Sequence, residues 1–521
     1  MKSKGISPVV ATVLLIAITV IAVGAIVAFW GTISTPGSRV IANLTLSGVE
    51  AGSTMITLTH TGGDPITDAF TPAQDGWLTA DDWNNLEIKL NGTPIETVHS
   101  ERAGDIIDTD VDFDEFDGNL GTDHDVLNIS GSIYAIAYRG PGHDGYIQTV
   151  EISPDGTIER RITNHEFDET DGWHPSFLHI SGDVYAIAYA HRNPDTDGYI
   201  QTVKIFPDGT INKITNFKFD ESGWVDYVDM IHVSGDVYAI VYKGAGDDGW
   251  ITTVTISSDG GTITKIKSQK FDESPDHPAY TPSIVHVSGD VYAVAYAGAS
   301  LHGWIKILKI SSNGEIDEGG SYKFSDSALW TNLLHMSEDL YLLVYDSSGA
   351  GGDGTGYLKI ISISPDGTTI REEGSYQLST STTLHQPRLI HISKGVYAIC
   401  YRINNPGYLK TVEISGSTIT EIETQTGFAG LFADPFPIHV QNDIYAIAYA
   451  GPDWDGYIRT VRIARMGGAE YNGSPVANGT TYSFSVGNTL DLLLTDPLQS
   501  GDHITVVYTP TGQVLVDRVV T

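Results

Sequence analysis

A word resembling Tyr-Ala-Ile-Ala-Tyr recurs through the middle of the chain and constrains the fold more than any other feature. Its seven copies begin at Tyr134, Tyr185, Tyr238, Tyr292, Tyr341, Tyr397 and Tyr445. A glycine–aromatic word follows each copy in step, beginning at Gly145, Gly198, Gly249, Gly303, Gly356, Gly407 and Gly456. Self-similarity at a period of about 50 residues is typical of β-propeller blades or of another repeat array.

Each repeat unit is predicted to be a four-stranded blade. In the second unit, short apolar or alternating segments run from Ser176 to Ile180, Val184 to Ala190, Tyr199 to Phe206 and Thr210 to Phe219. Gly/Asp turns separate them, and Pro207-Asp208-Gly209 is a strong hairpin signal. No helical periodicity lies between the segments, which argues against a solenoid with helices.

The two ends of the repeat array predict a closed ring. Asp105 to Asp117 precedes the first unit and matches the fourth strand of other units, such as Thr210 to Asp220. The last unit supplies only three strands before Ile463. The early segment can therefore complete the seventh blade, and a ring sealed in this way leaves only short, protected strand edges.

The N-terminus carries a second strong signal. About 25 residues from Ile6 to Trp30 carry no charge, enough for a membrane-spanning helix, and Lys2 and Lys4 precede them. The lysines predict a cytoplasmic N-terminus. No small-residue cleavage site follows the apolar run, so it is not an ordinary secretory signal. From the apolar run alone, a plain membrane anchor is the alternative.

The words Lys4-Gly-Ile-Ser-Pro-Val-Val-Ala-Thr-Val-Leu-Leu15 resemble the class III signal of archaeal type IV pilins. This resemblance implies that prepilin peptidase cuts between Gly5 and Ile6. It also implies that the hydrophobic helix first anchors the subunit in the membrane and later packs with its copies in a filament core.

The flanks of the repeat region are similar to the β-sandwich head of such pilins, on the alternating words Ser53 to His60 and Asp502 to Tyr508. The predicted fold is mostly β, with a long N-terminal hydrophobic α-helix and a β-sandwich pilin head split by an inserted seven-bladed β-propeller. The predicted domains are a signal peptide, the helix, the first part of the head, the propeller and the second part of the head, at 1–5, 6–35, 36–100, 101–464 and 465–521.

Charge and cysteine content bound the partners and the chemistry. The net charge is −36, from 65 acidic against 29 basic residues, and such a surface repels nucleic acid. The single cysteine, Cys400, lies in an apolar word and is predicted to be a buried, inert thiol. Four N-x-Ser/Thr sequons outside the repeat region are candidate glycosylation sites, at Asn43, Asn91, Asn472 and Asn478.

Three residue classes in the repeat region are candidate sites. A histidine six residues before most blade tyrosines, such as His179 before Tyr185, is interpreted as scaffold that bonds a neighbouring blade's turn. Acidic loops resemble no calcium-loop pattern, so a solvated acidic face is favoured. Tryptophans beside those acids form a candidate ligand face, at Trp173, Trp224, Trp330 and Trp454. No catalytic motif is present, so no enzyme, metal or cofactor is predicted.

These expectations combine into one hypothesis. The chain is predicted to be a structural subunit of an archaeal type IV pilus or pilin-like surface filament that displays its propeller for adhesion. Expected partners are identical or related pilin subunits, prepilin peptidase, the membrane before assembly, and surface glycans or other cells. The expected location is the archaeal cell surface. The alternative is a membrane-anchored extracellular binding protein that does not polymerise.

Overall fold

The computed structural model describes residues 40–521 except 54, 74–77, 96, 98–104, 193–195, 273–278, 349–353, 380–383, 394, 429–431, 442, 466–468, 473, 477–478 and 495–497. The chain divides into two compact units. Asp105–Ala464 forms one unit, and the described residues on either side of it form the other.

Seven four-stranded antiparallel sheets make up the Asp105–Ala464 unit, and we call them blades 1 to 7. Blades 1 to 3 comprise Thr122–Ser130, Ile133–Arg139, Gly145–Ile152 and Ile158–Asp168; Trp173–Ser181, Val184–Ala190, Gly198–Ile205 and Ile211–Asp220; and Asp226–Ser234, Val237–Lys243, Gly249–Ile256 and Ile263–Asp272. Blades 4 to 6 comprise Tyr280–Ser288, Val291–Ala297, Gly303–Ile310 and Ile316–Ser325; Leu329–Ser337, Leu340–Asp346, Gly356–Ile363 and Ile370–Gln377; and Leu384–Ser393, Val396–Ile403, Gly407–Ser415 and Thr418–Phe428.

Blade 7 closes the ring. It combines Ala433–Gln441, Ile444–Ala450 and Gly456–Arg465 with the early strand Asp105–Asp117. The first strands of neighbouring blades pack against each other all the way round, including blade 7 against blade 1, and so enclose a central channel. The β-propeller part of the predicted fold is therefore supported, with one strand from the start of the array sealing its end.

Aromatic–acid contacts join several blades to the one before them. The outer strand of blade 2 ends in Phe219-Asp220, and the buried Tyr242 of blade 3 packs its ring 5.3 Å from Phe219. The Tyr242 hydroxyl donates to Asp220, as Tyr189 of blade 2 donates to Asp168 of blade 1 at 2.6 Å. A buried phenol needs a hydrogen-bond partner, so the second strands can be buried on both faces between blades.

The other unit holds three sheets around one hydrophobic core. The five-stranded sheet has the order Ala42–Ser47, Met55–Gly63, Thr489–Leu493, Ala469–Tyr471, Ser474–Pro475. The four-stranded sheet has the order Gln513–Val519, His503–Tyr508, Leu86–Leu90, Thr93–Pro94, and the third sheet pairs Ile66–Phe70 with Tyr482–Phe484. Alternating apolar residues such as Ile56, Leu58 and Val506 enter the core, which is the pattern of strands with one buried face.

The fold class predicted from the sequence is wrong in its helical part. Among the described residues the helical elements are five 3₁₀ turns of three residues each, and no α-helix occurs there; the turns are Ala80–Asp82, Pro141–His143, Ala245–Asp247, Ala299–Leu301 and Pro452–Trp454. No helix in that part of the chain is long and apolar enough to cross a membrane. The predicted helix at 6–35 and the predicted cleavage bond Gly5–Ile6 lie outside the described residues.

Candidate binding site

The first strand of every blade breaks its pairing with the second strand at the same place. In blade 2 the two residues between Trp173 and Ser176 stand opposite one residue of the second strand, which is a β-bulge. One residue in each of the seven bulges has a φ between 45° and 55°, although none is glycine: Asp123, His174, Tyr227, Thr281, Trp330, Gln386 and Asp434. This backbone costs about 1–2 kcal/mol per residue, and such strain clusters at functional sites.

These seven residues encircle the end of the channel where the first strands begin, and we call them the mouth ring. They border a cavity of about 290 Å³. Two positions further along each first strand, a second ring lines the same cavity, and we call it the floor ring: Asp125, Ser176, Asp229, Ser283, Asn332, Arg388 and Phe436. The cavity is close to the lower size of small-molecule sites, which begin at about 300 Å³.

A chain of charged groups supports one side of the mouth ring. His174 Nδ1 lies 2.7 Å from Asp226 Oδ1, and its Nε2 lies 3.4 Å from Asp123 Oδ1. Arg192 donates to the other Asp226 oxygen at 2.5 Å, and Arg139 Nη1 lies 3.6 Å from Asp123 Oδ2. The imidazole is thus held between two carboxylates, each of which faces its own arginine.

The pKa values of these groups follow from their neighbours. Burial alone would lower the pKa of His174, but the charges of Asp123 and Asp226 outweigh it and raise the pKa. Burial would raise the pKa of Asp226, but His174 and Arg192 hold it well below its usual range. Burial, followed by the charge of Asp123, raises the pKa of Asp434 to about 6. The carboxylates on either side of the His174 ring therefore favour its protonated form.

Aromatic rings form the other side of the mouth ring. Tyr227 meets Trp330 edge to face with ring centres 5.8 Å apart. These residues belong to blades 3 and 5, and their rings meet because blade 4 contributes only the small Thr281 between them. Tyr227 also lies 4.3 Å from the His174 ring. The cavity therefore has an apolar, stacking wall beside a wall of charged groups.

Blades 6 and 7 complete the mouth ring with a hydrogen-bonded pair. Gln386 donates through Nε2 to Asp434, and its own oxygen accepts a 2.8 Å hydrogen bond from Arg402 Nε. His124 Nδ1 lies 3.1 Å from the Asp434 carbonyl oxygen. Burial lowers the pKa of His124 to about 4, so this histidine is neutral around pH 7. The Gln386 amide is held in one orientation from both of its ends.

The floor ring interlocks the blades. Five of its side chains each accept a hydrogen bond of 2.8–3.3 Å from a backbone N–H of the next blade, and they are Asp125, Ser176, Asp229, Ser283 and Asn332. Arg388 of blade 6 and Phe436 of blade 7 break the pattern, because neither side chain can accept a hydrogen bond. Five floor-ring side chains therefore hold neighbouring blades together, and the remaining two do not.

Of the four predicted ligand-face tryptophans, the structure brings only Trp330 to the cavity. Trp173 lies 3.5 Å from the Arg139 guanidinium and 3.7 Å from that of Arg192, so its ring is already engaged by protein cations. Trp224 and Trp454 are 66% and 47% exposed and lie in loops outside the cavity lining. The predicted face remains a prediction for those two residues.

The repeated histidines bond the turns of their own blades. Nε2 lies 2.8 Å from the Gly182 carbonyl oxygen in His179 and 2.8 Å from that of Gly235 in His232. The sequence interpretation placed these bonds on a neighbouring blade. In the part of the chain that the structure describes, no group of three or more His, Cys, Asp or Glu side chains is placed to hold a metal ion.

The acidic loops also have internal partners. Asp168 Oδ1 accepts hydrogen bonds from the Thr170 and Asp171 backbone N–H groups, and its other oxygen accepts from Tyr189. Asp220 has the same arrangement with Ser222 and Tyr242. Asp168 and Asp220 consequently cap the turns that follow the outer strands of blades 1 and 2 and connect those blades to the next ones.

The candidate glycosylation residues fall in the second unit. Asn91 is exposed, and its amide donates to Asp502 at 2.9 Å and accepts from the His503 N–H at 2.9 Å. Asn472 is exposed and accepts from the Thr489 N–H at 2.8 Å. Asn43 is half-buried in its strand, and Asn478 lies outside the described residues. Glycosylation of these residues stays a prediction.

Reading the sequence by motifs missed most of the mouth and floor rings. A signal for them exists: each mouth residue stands eleven positions before its blade tyrosine, as His174 does before Tyr185. Aligning the repeats on the tyrosines would have shown one column with six different residue types. Repeated motifs mark positions that hold the same residue in every blade, whereas this site lies at a position whose residue differs between blades.

Comparisons with known proteins add little to this picture. No family model matches the chain, and no curated protein matches it. Solved structures with similar coordinates include a protein from Lactobacillus plantarum at 11% identity and TM-score 0.44, covering 77% of this chain and 97% of that one. A Bacteroides fragilis protein provisionally assigned as a 6-phosphogluconolactonase has 13% identity and TM-score 0.45, with coverage of 76% and 97%. The Nup133 β-propeller domain of Vanderwaltozyma polyspora has 11% identity and TM-score 0.43, with coverage of 67% and 97%.

The assignment to archaeal type IV pilins is wrong. In the part of the chain that the structure describes, no α-helix occurs through which subunits could assemble, and no helix there is long and apolar enough to cross a membrane. The predictions that depended on this assignment are also wrong. They are the function as a filament subunit or as a membrane-anchored binding protein, the pilin, prepilin peptidase and membrane partners, adhesion to surface glycans or cells, and the archaeal cell-surface location.

Proposed function

We propose that this protein is a small-molecule-binding β-propeller and that its ligand occupies the cavity between the mouth ring and the floor ring. The cavity combines stacking surface with a few oriented polar groups, which is the usual composition of a small-ligand site. Tyr227 and Trp330 supply the stacking surface, and Asp123, Gln386 and Asp434 supply polar groups that neighbours hold in place.

The observation that carries this proposal is the mouth ring itself. Seven blades place a side chain at the same strained position on the same cavity. A position with only a structural role would be expected to hold similar residues in every blade, as the blade tyrosines do. The mouth ring instead holds acids, an imidazole, an amide, a hydroxyl and two large aromatics, which is what recognition of one asymmetric molecule requires.

We propose that the cavity binds its ligand without catalysing a reaction. His174 is the mouth-ring group best suited to transfer protons near neutral pH. Both of its ring nitrogens face protein carboxylates, at 2.7 Å and 3.4 Å. Its neighbours therefore compete with any substrate for those nitrogens, and we assign His174 to orienting the rim rather than to catalysis.

A binding screen on the full chain tests the proposal. Ligand-observed NMR against a panel of sugars, sugar acids, amino acids and nucleosides would identify binders, and calorimetry would give their affinities. Trp330→Ala should weaken the binding of a genuine ligand by about fivefold or more, because the lost stacking surface is worth ~1 kcal/mol or more.

Trp224→Ala is the control, since Trp224 is the same residue type but is exposed and lies outside the cavity. It should leave binding unchanged. The proposal fails if the panel yields no binder, or if every binder is affected equally by the two substitutions.

A further inference from the structure

Arg388 is chemically out of place in the floor ring. The equivalent residues of blades 1 to 5 accept a backbone N–H from the next blade, and Asn332, the nearest of them in sequence, accepts from Leu389 at 3.0 Å. Blade 6 has a guanidinium at this position, which offers donors only. The exchange gives up one bond between blades and places a permanent cation in the cavity wall.

This cation has no hydrogen bond or ion pair to any part of the chain that the structure describes. The other arginines near the mouth are paired: Arg192 with Asp226 at 2.5 Å, Arg139 with Asp123 at 3.6 Å, and Arg402 with Gln386 at 2.8 Å. In a chain with 65 acidic and 29 basic residues, a cavity arginine without a carboxylate partner is unexpected. Its donors are available to a ligand.

Two aspartates share the floor with Arg388 without pairing to it. Asp125 and Asp229 each use one oxygen to accept a 2.8 Å hydrogen bond from a backbone N–H, and both feel the Arg388 charge. Burial raises the pKa of Asp125 to about 8 and that of Asp229 to about 6. Near neutral pH Asp125 is therefore largely a neutral acid, which does not neutralise Arg388 and can itself donate to an oxyanion.

We infer that the ligand is a small hydroxylated carboxylic acid whose carboxylate binds Arg388 on the floor while its body lies against Tyr227 and Trp330. This inference rests on the proposed function and specifies its ligand. A planar carboxylate matches the fork of a guanidinium with two parallel hydrogen bonds. The mouth and floor positions are two residues apart, about 7 Å along an extended strand, which suits a molecule the size of a sugar acid.

The surrounding acids select a single negative charge over a double one. A phosphate dianion at Arg388 would face Asp229 on the floor and Asp123 and Asp434 at the mouth, and like charges at close range are costly. The hydroxyls and carboxylates of the two rings, Ser176, Ser283 and Asp123 among them, suit the hydroxyl groups of the ligand body. The cavity thus favours a monocarboxylate with several hydroxyls.

Calorimetry on the full chain with defined probes tests this inference. D-glucuronate and D-gluconate are the carboxylate probes, D-glucose is the neutral control and D-glucose 6-phosphate is the dianionic control. At least one carboxylate probe should bind, and both controls should bind at least about tenfold more weakly, because a charge-assisted pair is lost or a like charge is added.

Substitutions test whether Arg388 is the residue that binds the carboxylate. Arg388→Gln should weaken the carboxylate probe by at least about tenfold and leave glucose unchanged, and Arg388→Lys should retain part of the affinity. Arg371→Gln, an exposed arginine of the outer strand of blade 5, should have no effect. Circular dichroism would check that each variant is folded.

The outcomes separate the inference from the proposed function. If Trp330→Ala weakens binding of a ligand and Arg388→Gln does not, the cavity binds ligands but the carboxylate assignment is overturned. Equal binding of glucose and glucuronate, or no binding of either carboxylate probe, also overturns it. If neither variant alters binding of any ligand, both proposals are wrong.

Discussion

The two ends of the seven first strands differ in how similar their residues are from blade to blade. At the end where each first strand turns into the second, a histidine bonds the carbonyl of its own turn at 2.8–3.0 Å in at least four blades: His179, His232, His286 and His335. At the other end, seven strained positions carry six residue types around a cavity. The turn end therefore carries the same residue type in most blades. The mouth end carries different residue types on the same backbone conformation.

This difference separates scaffold from function within a single repeat. Residues that hold a blade together meet the same neighbours in every blade, so the same residue type serves each time. A ligand has no seven-fold symmetry, so the positions that contact it are expected to differ. The predictions below are ordered from the largest expected effect to the smallest, and each tests one end of this contrast.

The contacts between blades should dominate stability. Phe219→Ala removes a fully buried ring that packs against Tyr242 and Gly198. Large-to-small changes of this kind cost about 3–5 kcal/mol, and urea denaturation of the full chain would measure the loss. Phe113→Ala, at a ring that is 61% exposed, is the control and should cost less than about 1 kcal/mol. Equal losses would contradict the packing described between blades.

The floor ring should make stability depend on pH. The pKa of Asp125 is raised to about 8 in the folded protein, against about 4 when unfolded. Its contribution is therefore fully present below about pH 4 and is lost as the pH rises through about 8. Asp125→Asn can still accept from the Phe177 N–H and has no charge to bury. Its free energy of unfolding should rise relative to that of the wild-type protein by on the order of 4 kcal/mol between about pH 5 and pH 9, as measured by urea denaturation.

Asp229→Asn is the companion variant. Because burial raises the pKa of Asp229 only to about 6, its gain should be smaller and should be complete at a lower pH. If the free energy of unfolding changes with pH in the same way for the wild-type protein and both variants, the burial of these carboxylates in the cavity is contradicted.

Removing a turn histidine should lower the stability of the protein by a similar and small amount in each blade. His232→Ala removes one hydrogen bond to the Gly235 carbonyl oxygen at an exposed turn, worth about 0.5–1.5 kcal/mol. His179→Ala and His286→Ala should cost the same, as judged by thermal unfolding, because each has an equivalent contact. Costs that differ widely between blades would show that this end is not a repeated scaffold.

Much of the propeller could be predicted from the sequence because its signals are local and repeated. The Tyr185 and Gly198 words mark strands by period and turn chemistry, and the orphan strand Asp105–Asp117 matches other outer strands. The pilin assignment failed for the opposite reason. It rested on a single short stretch and on a resemblance of the flanks, with no repetition to test it within the chain.

The candidate site could not be predicted in the same way. His174 and Asp226 are 52 residues apart in the sequence, yet they lie in contact because neighbouring first strands pack around the channel. The partner of Trp173 is likewise set by the ring: Arg139 of blade 1 reaches it from the preceding repeat. No local pattern reports which residues of successive blades meet, or that Arg388 is left without a partner in the described chain.

The central claim is that the varied end of the channel is a ligand site, and a crystal structure of the full chain with D-glucuronate tests it most directly. The account predicts electron density for the sugar acid against Tyr227 and Trp330, with its carboxylate on Arg388 and the histidine turns at the other end unoccupied. Density for the probe at the turn end or on the outer blade surfaces, with only water between the mouth and floor rings, would contradict it.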